Sequence, residues 1–96
     1  ALSVPLPERI DGLLQSLDDA DDDIAPVLTS ALARMQRRDA HAALFDALES
    51  SNAAARKAAA ETLAGIGTRD ALDAVQRLAA SDEDAEVRRV SALLLG

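Results

Sequence analysis

Three ten-residue stretches, IAPVLTSALA (24–33), ARKAAAETLA (55–64) and VRRVSALLLG (87–96), align without gaps and decide the fold. Apolar or small residues fall at the same offsets in each. Ile24, Ala55 and Val87 open the stretch, Val27, Ala58 and Val90 follow three later, and Leu32, Leu63 and Leu95 come five after those. Such spacing puts them on one face of a helix, so each stretch reads as an amphipathic helix with these residues inside. Ahead of each lies a second helical pattern: Ile10, Leu13, Leu14 and Leu17; then Leu44, Phe45 and Leu48; then Leu72, Val75, Leu78 and Ala79. The unit is helix, turn, helix. Its three copies, at 7–37, 38–67 and 68–96, form one domain covering 1–96.

Turn chemistry agrees with this division. Leu17, Leu48 and Leu78 are each followed four residues later by Asp21, Asn52 and Asp82, polar residues suited to starting the next helix. The turn from Ser81 to Glu86 then carries two extra residues, which turns tolerate better than helices. Pro7 suits the start of the first helix, and Pro26 the first turn of the second, where its missing N–H leaves no bond unmade. Asp39 and Asp70 suit the N-caps of the third and fifth helices, and Gly65 and Gly67 the end of the fourth. Leu2 to Leu6 is expected as an extended arm, with Val4 and Leu6 covering the open end of the first pair.

Composition points the same way. The 47 apolar residues among 96 include 22 Ala and 15 Leu but only 5 Val, 3 Ile and one Phe, so a helical core is favoured over any sheet. Without Cys there is no disulfide, thiolate nucleophile or thiolate metal site, and a single His excludes any site built from two imidazoles. A net charge of −7 repels nucleic-acid phosphates and anionic lipid, and no Trp or Tyr offers a base-stacking platform. No stretch approaches the ~20 apolar residues of a membrane span, and Ala1 to Pro7 lacks the regions of a signal peptide. A soluble cytoplasmic protein is expected. Nine of the ten cations are Arg, which with abundant Ala and Asp fits a GC-rich bacterial gene. The first residue is Ala rather than Met, and a piece of a longer chain is expected.

The segments 52–67 (NAAARKAAAETLAGIG) and 70–96 (DALDAVQRLAASDEDAEVRRVSALLLG) resemble the HEAT-like repeats, in particular the short bacterial kind named after the phycobilisome lyases. The third copy carries nearly all of that repeat's pattern. The second replaces its Val by Ala55, and the first has Ala25 and Pro26 where Arg is expected. The resemblance implies an all-α fold, an α-α superhelix of HEAT- or armadillo-like helical hairpins, right-handed, with the second helix of each pair lining a concave face. A lone hairpin cannot bury its apolar stripe, so neighbours must cover it, and about three copies are needed for stability. The apolar Leu93-Leu94-Leu95 end calls for a cover too: further repeats, a second subunit in a homo-oligomer, or a partner.

Few residues suggest chemistry. The acidic run Asp18, Asp19, Asp21, Asp22 and Asp23 fails as a calcium loop, because counting from Asp19 puts Ile24 and Ser30 where Gly and Glu are needed. It reads as a solvated turn favoured by a helix N-terminus. Arg56 and Arg88 hold the position that, in the family, bonds an Asp at a turn, with Asn52, Asp82 and Asp84 placed to receive them as a structural ladder between copies. His41, on or beside the Leu44, Phe45, Leu48 face, has no Ser, Cys or second His to make a triad and reads as a packing residue. The chain has no His-Glu pair like those that bind iron in the family's hydroxylase relatives. Acidic residues gather in the turns inside pairs, and Arg34, Arg37, Arg38 and Arg69 in those between pairs, as helix dipoles favour.

What remains on the second helices opposite the core is Ser30, Lys57, Glu61, Arg89 and Leu93, the expected protein-binding strip. A non-catalytic interaction or assembly scaffold follows, with no catalytic residue, metal or cofactor and with a protein or adjacent domain as partner. The alternatives are a bilin lyase-like subunit, for which no Cys, Tyr or paired His is at hand, and a regulatory domain of a larger enzyme. Nucleic-acid binding, known among some HEAT-like proteins, would need a basic concave face that this chain lacks.

Overall fold

A computed structural model describes residues 6–35 and 38–96, with the backbone alone for 6–9. Of the expected arm, residues 2–5, with the cover by Val4, lie outside what is described, as does the charge at Arg37, whereas Leu6 opens the first helix rather than ending an arm. Six helices follow in order: α1 Leu6–Asp19, α2 Ala25–Arg34, α3 Arg38–Ala47, α4 Ala53–Ile66, α5 Arg69–Ser81 and α6 Ala85–Leu94. They form three antiparallel pairs stacked into a slab of 44 × 27 × 17 Å, whose least dimension is about two helices deep. Helices α2, α4 and α6 pack side by side in one row, whereas α3 and α5 stand apart. Helix α1 packs on α3, so among the described residues the second helices are the row that stays continuous through all three pairs, the inner row. Ala55, Ala58, Ala59 and Ala60 make this possible on α4, since side chains of one carbon let its neighbours close in from both sides.

Asp21, Asn52 and Asp84 start the second helices in the same way. Asp21 Oδ1 accepts the N–H of Asp23 and Ile24 (3.0 and 2.9 Å), Asn52 Oδ1 that of Ala54 (3.2 Å), and Asp84 Oδ1 those of Glu86 and Val87 (2.9 and 3.1 Å). The third of these differs from the expected Asp82. Buried Ala40, Ala43 and Leu44 are matched 31 residues on by buried Ala71, Ala74 and Val75, while the caps Asn52 and Asp84 lie 32 apart. The last turn thus holds one extra residue rather than two, and Asp82 is freed for a contact with the second pair. Two other ends are corrected. Thr68, not Asp70, caps α5, its Oγ1 accepting from Ala71 N (3.2 Å), and Asp70 sits in the first turn. Gly67 alone ends α4, at φ 76°, a left-handed conformation that glycine adopts without penalty, while Gly65 remains inside the helix.

The inner stripe was expected to be equivalent in all three copies, and it is not. Ala55, Ala58 and Val87 are buried, whereas Ile24 and Val27 are 49 % and 59 % exposed. Leu32 and Leu63 are buried, whereas Leu95 is 41 % exposed. The reason is which neighbour each position faces. Thr62 Oγ1 of α4 donates to Thr29 Oγ1 of α2 (2.9 Å), so the side of a second helix that carries Thr62 faces the preceding pair and the side that carries Thr29 faces the following one. Ile24, Val27 and Ala31 lie on the preceding side of α2, for which the described residues contain no earlier pair. Ala92 and Leu95 lie on the following side of α6 and are exposed for the converse reason. Helix α1 behaves likewise: Gly12 and Ser16 are exposed where Ala43 and Ala47, 31 residues on, are buried.

Among the described residues, buried side-chain polar atoms are satisfied with one exception. Thr29 Oγ1 accepts from Thr62 and donates to the Pro26 carbonyl (3.1 Å). Ser91 Oγ, fully buried on α6, has no partner among the described residues. Since an unpaired buried hydroxyl is a net penalty, Ser91→Ala should stabilise the chain by about 1 kcal/mol in urea denaturation. A loss of that size would mean that the hydroxyl is bonded after all.

Candidate protein-binding face and the joints beneath it

The joints between pairs hold the polar residues that the sequence singles out. In the joint between the second and third pairs, Arg56 of α4 forks onto Asp82, with Nε to Oδ2 at 2.9 Å and Nη2 to Oδ1 at 3.1 Å, while Nη1 donates to the Ser50 carbonyl at 2.9 Å. The two side chains are only 8 % and 4 % exposed. Burial opposes the charge on Asp82, but the Arg56 hydrogen bonds, the Asp84 amide and the positive charges of Arg56 and Arg88 outweigh it, so its carboxyl lies below the ordinary 3.8. Arg88 Nη1 donates to the Asp82 carbonyl, the local equivalent of the contact from Arg56 to Ser50. Asp84 receives no arginine and serves as the α6 cap.

The joint between the first and second pairs is built differently. Asn52 Nδ2 donates to the carbonyls of Leu17 and Ala20 (2.9 and 2.6 Å), which end α1 and its turn. Ser50 Oγ donates to Asp18 Oδ1 (2.7 Å), and Lys57 Nζ lies 3.3 Å from Asp22. Sequence reasoning placed Asn52 in the ladder as a receiver of arginine; its amide instead donates backward. The contacts from Thr62, Ser50 and Lys57 went unforeseen, because short polar residues and a lone lysine carry no pattern until the neighbouring pair is in place. The acidic run is divided among these duties, and among the described residues no three metal-ligating side chains come together. His41 is half-buried in α3 and Asp46 exposed.

Above the joints, the inner row displays the expected strip in two parts. Ser30 and Glu61 meet across an open hollow of about 440 Å³ between α2 and α4, lined also by Pro26, Arg34 and Thr62. Arg89 and Leu93 stand one helical turn apart on α6, with Leu93 66 % exposed. Lys57 links the parts: it pairs with Asp22 on one side, and its charge reaches Glu86 on the other. Arg89 forks onto Glu86 (2.9 and 2.7 Å); this hydrogen bond, with the charges of Arg89 and Lys57, draws the Glu86 carboxyl down, and the same bond with the Glu86 charge raises Arg89. Both cations of the strip are therefore partly neutralised from within the chain, in solvent-exposed pairs that contribute little to stability.

A family model for HEAT repeats matches residues 10–96, from within α1 to the end of α6. The chain belongs to the HEAT repeat family. No curated protein and no solved structure matches it. The family match is to HEAT repeats at large and does not select the phycobilisome-lyase kind. HEAT repeats commonly mediate protein interaction and scaffolding, and no described helix is long and apolar enough to cross a membrane. In these HEAT repeats the Arg56–Asp82 fork spans two copies, and the first copy, with Ala25 in the arginine's place, is joined through Asn52 of the second instead.

Proposed function

We propose that the chain is a non-catalytic interaction or assembly module that holds a protein segment along its inner row of helices. The observation carrying this reading is Leu93, a large apolar side chain 66 % exposed on α6, one helical turn from Arg89 and in the row of second helices. An apolar anchor rimmed by charge is the arrangement that binds a peptide through a few strong contacts. Ser30 and Glu61 at the α2–α4 hollow supply hydrogen-bonding capacity at the other end of the strip. Lys57 and Arg89 supply charge that a partner's carboxylates would share with Asp22 and Glu86.

Selection of displayed random peptides against the protein, followed by calorimetry on the enriched sequences, tests the proposal. Leu93→Asp, and the charge reversals Lys57→Glu and Arg89→Glu, should each weaken binding by more than about tenfold. Enriched peptides that bind the three variants as tightly as the parent would remove this strip from consideration.

A further inference from the structure

We infer that the hollow between α3 and α5, on the face opposite the inner row, holds a basic amphipathic helix from a partner protein. The first helices do not pack evenly. Helix α1 lies against α3 and leaves a hollow of about 170 Å³ there, whereas α5 stands away from α3 and leaves one of about 350 Å³. Phe45 and Leu48 on one wall, and Ala74 and Leu78 on the other, make the larger hollow apolar. Phe45, the one aromatic residue of the chain, and Leu78 are left half-buried. Both walls belong to this chain, so further helix pairs at either end of the stack would leave the hollow open.

Charge selects the occupant. Asp46 and Glu49 on α3 and the turn after it, and Asp73 on α5, are exposed and make no side-chain hydrogen bond or ion pair with a described residue. Arg77 is the one cation lining the hollow, and Asp73 stands one turn before it on the helix surface, offsetting its charge. Arg38 and Arg69 stand at the far ends of the two helices, where α3 and α5 begin. Both helices run in the same direction, so the negative ends of two helix dipoles meet at the end of the hollow that holds Glu49. On the inner row, by contrast, Lys57 and Arg89 are already paired with Asp22 and Glu86. The hollow thus combines an apolar base with uncompensated negative charge around it, which a cationic partner complements and an acidic one does not.

Backbone chemistry selects the conformation. The walls are helices whose N–H and carbonyl groups are spent internally, so an extended segment would find no backbone partner along them. A helix brings its own backbone bonds and lays apolar side chains, three and four residues apart, along a groove of this kind. Lysine and arginine stems lie on Phe45 and Leu78 while their charged ends reach Asp46, Glu49 and Asp73. Because this face is opposite the inner-row strip, the site stands or falls independently of peptide capture there.

The test uses the 96-residue chain and a synthetic peptide of about 15 residues, with leucine and lysine in the order of an amphipathic helix. Two further peptides accompany it, one of the same composition in shuffled order and one with glutamate for lysine. Calorimetry at physiological salt should show the ordered lysine peptide bound at least about tenfold more tightly than the shuffled one, and the glutamate peptide not bound. Glu49→Lys and Asp73→Lys together should weaken binding at least about tenfold, whereas Glu61→Lys and Leu93→Asp, on the inner row, should change it by less than about twofold. A nitroxide on the peptide should broaden the amide resonances of Phe45, Glu49, Arg77 and Leu78 in the parent protein, a readout that needs no variant to fold. Ordered and shuffled peptides that bind alike, broadening centred on the Asp18 to Asp23 run or on the inner row, or no binding at all overturns the inference. So does a parent chain that self-associates and loses that association in the Glu49→Lys, Asp73→Lys variant, because the hollow then belongs to a second copy.

Discussion

Replacing Asp82 by Ala should destabilise the protein by about 3 kcal/mol, a large share of the roughly 5–15 kcal/mol available to a small domain. The loss comes from the arginine left behind. Arg56 is buried at the joint with one nitrogen on Ser50 and two on Asp82, and without the carboxylate two desolvated N–H groups have nowhere to go. Arg56→Ala should produce a similar loss by stranding the carboxylate, and the double variant should lose little more than either single one, because the two substitutions remove a single unit. Urea denaturation of the four proteins measures this directly. Equal losses that simply add would mean that the pair is no more than a surface ion pair.

The same fork sets a pH limit. The Asp82 carboxyl is depressed in the folded chain, so its contribution is complete above its unfolded value of 3.8 and disappears as pH falls through the lower folded one. The parent should therefore lose stability on acidification below about pH 4 more steeply than Asp82→Asn, whose joint has no carboxylate to protonate.

The second large effect is positional. Leu32, Leu63 and Leu95 occupy one repeat position, yet the first two are buried between pairs and the third faces outward. Leu63→Ala should remove about 3 kcal/mol and lower Tm by more than about 10 °C, since α4 is hemmed in by pairs on both sides and cannot collapse to fill the space. Leu32→Ala should behave similarly. Leu95→Ala should change stability by less than about 0.5 kcal/mol in dilute solution. Three equal losses would mean that the outer side of α6 is covered within a single chain.

The helical hairpins and their number were legible in the sequence, because Ala-Leu composition and three-four spacing act locally. Which copy buries a given position was not. Val27, Ala58 and Val90 look alike in sequence, and only the stacking direction distinguishes them: Ala58 meets the preceding pair, and Val27 has none to meet among the described residues. The ladder position at Arg56 was legible only through the resemblance, which implies an arginine there bonding an Asp at a turn; the partner is Asp82 of the next pair. The backward reach of Asn52 was not, since an amide can cap its own helix and donate to another at once, and here it does both. At the turn before α6, four-residue spacing from Leu78 pointed to Asp82 as the cap, but Leu78 stands one place ahead of the equivalent of Leu48 and the turn holds one extra residue, so the duty falls to Asp84 and Asp82 is left to the joint.

The absence of cysteine from the sequence makes the stacking order directly measurable. Single variants Val27→Cys, Ala58→Cys, Leu63→Cys and Leu95→Cys, kept dilute and treated with a thiol reagent, report the cover over each place in turn. Val27→Cys and Leu95→Cys should react at nearly the rate of a free thiol, and Ala58→Cys and Leu63→Cys only as fast as the chain opens. Equal protection at positions 27 and 58, or equal reactivity at 63 and 95, would contradict a one-directional stack of three helix pairs.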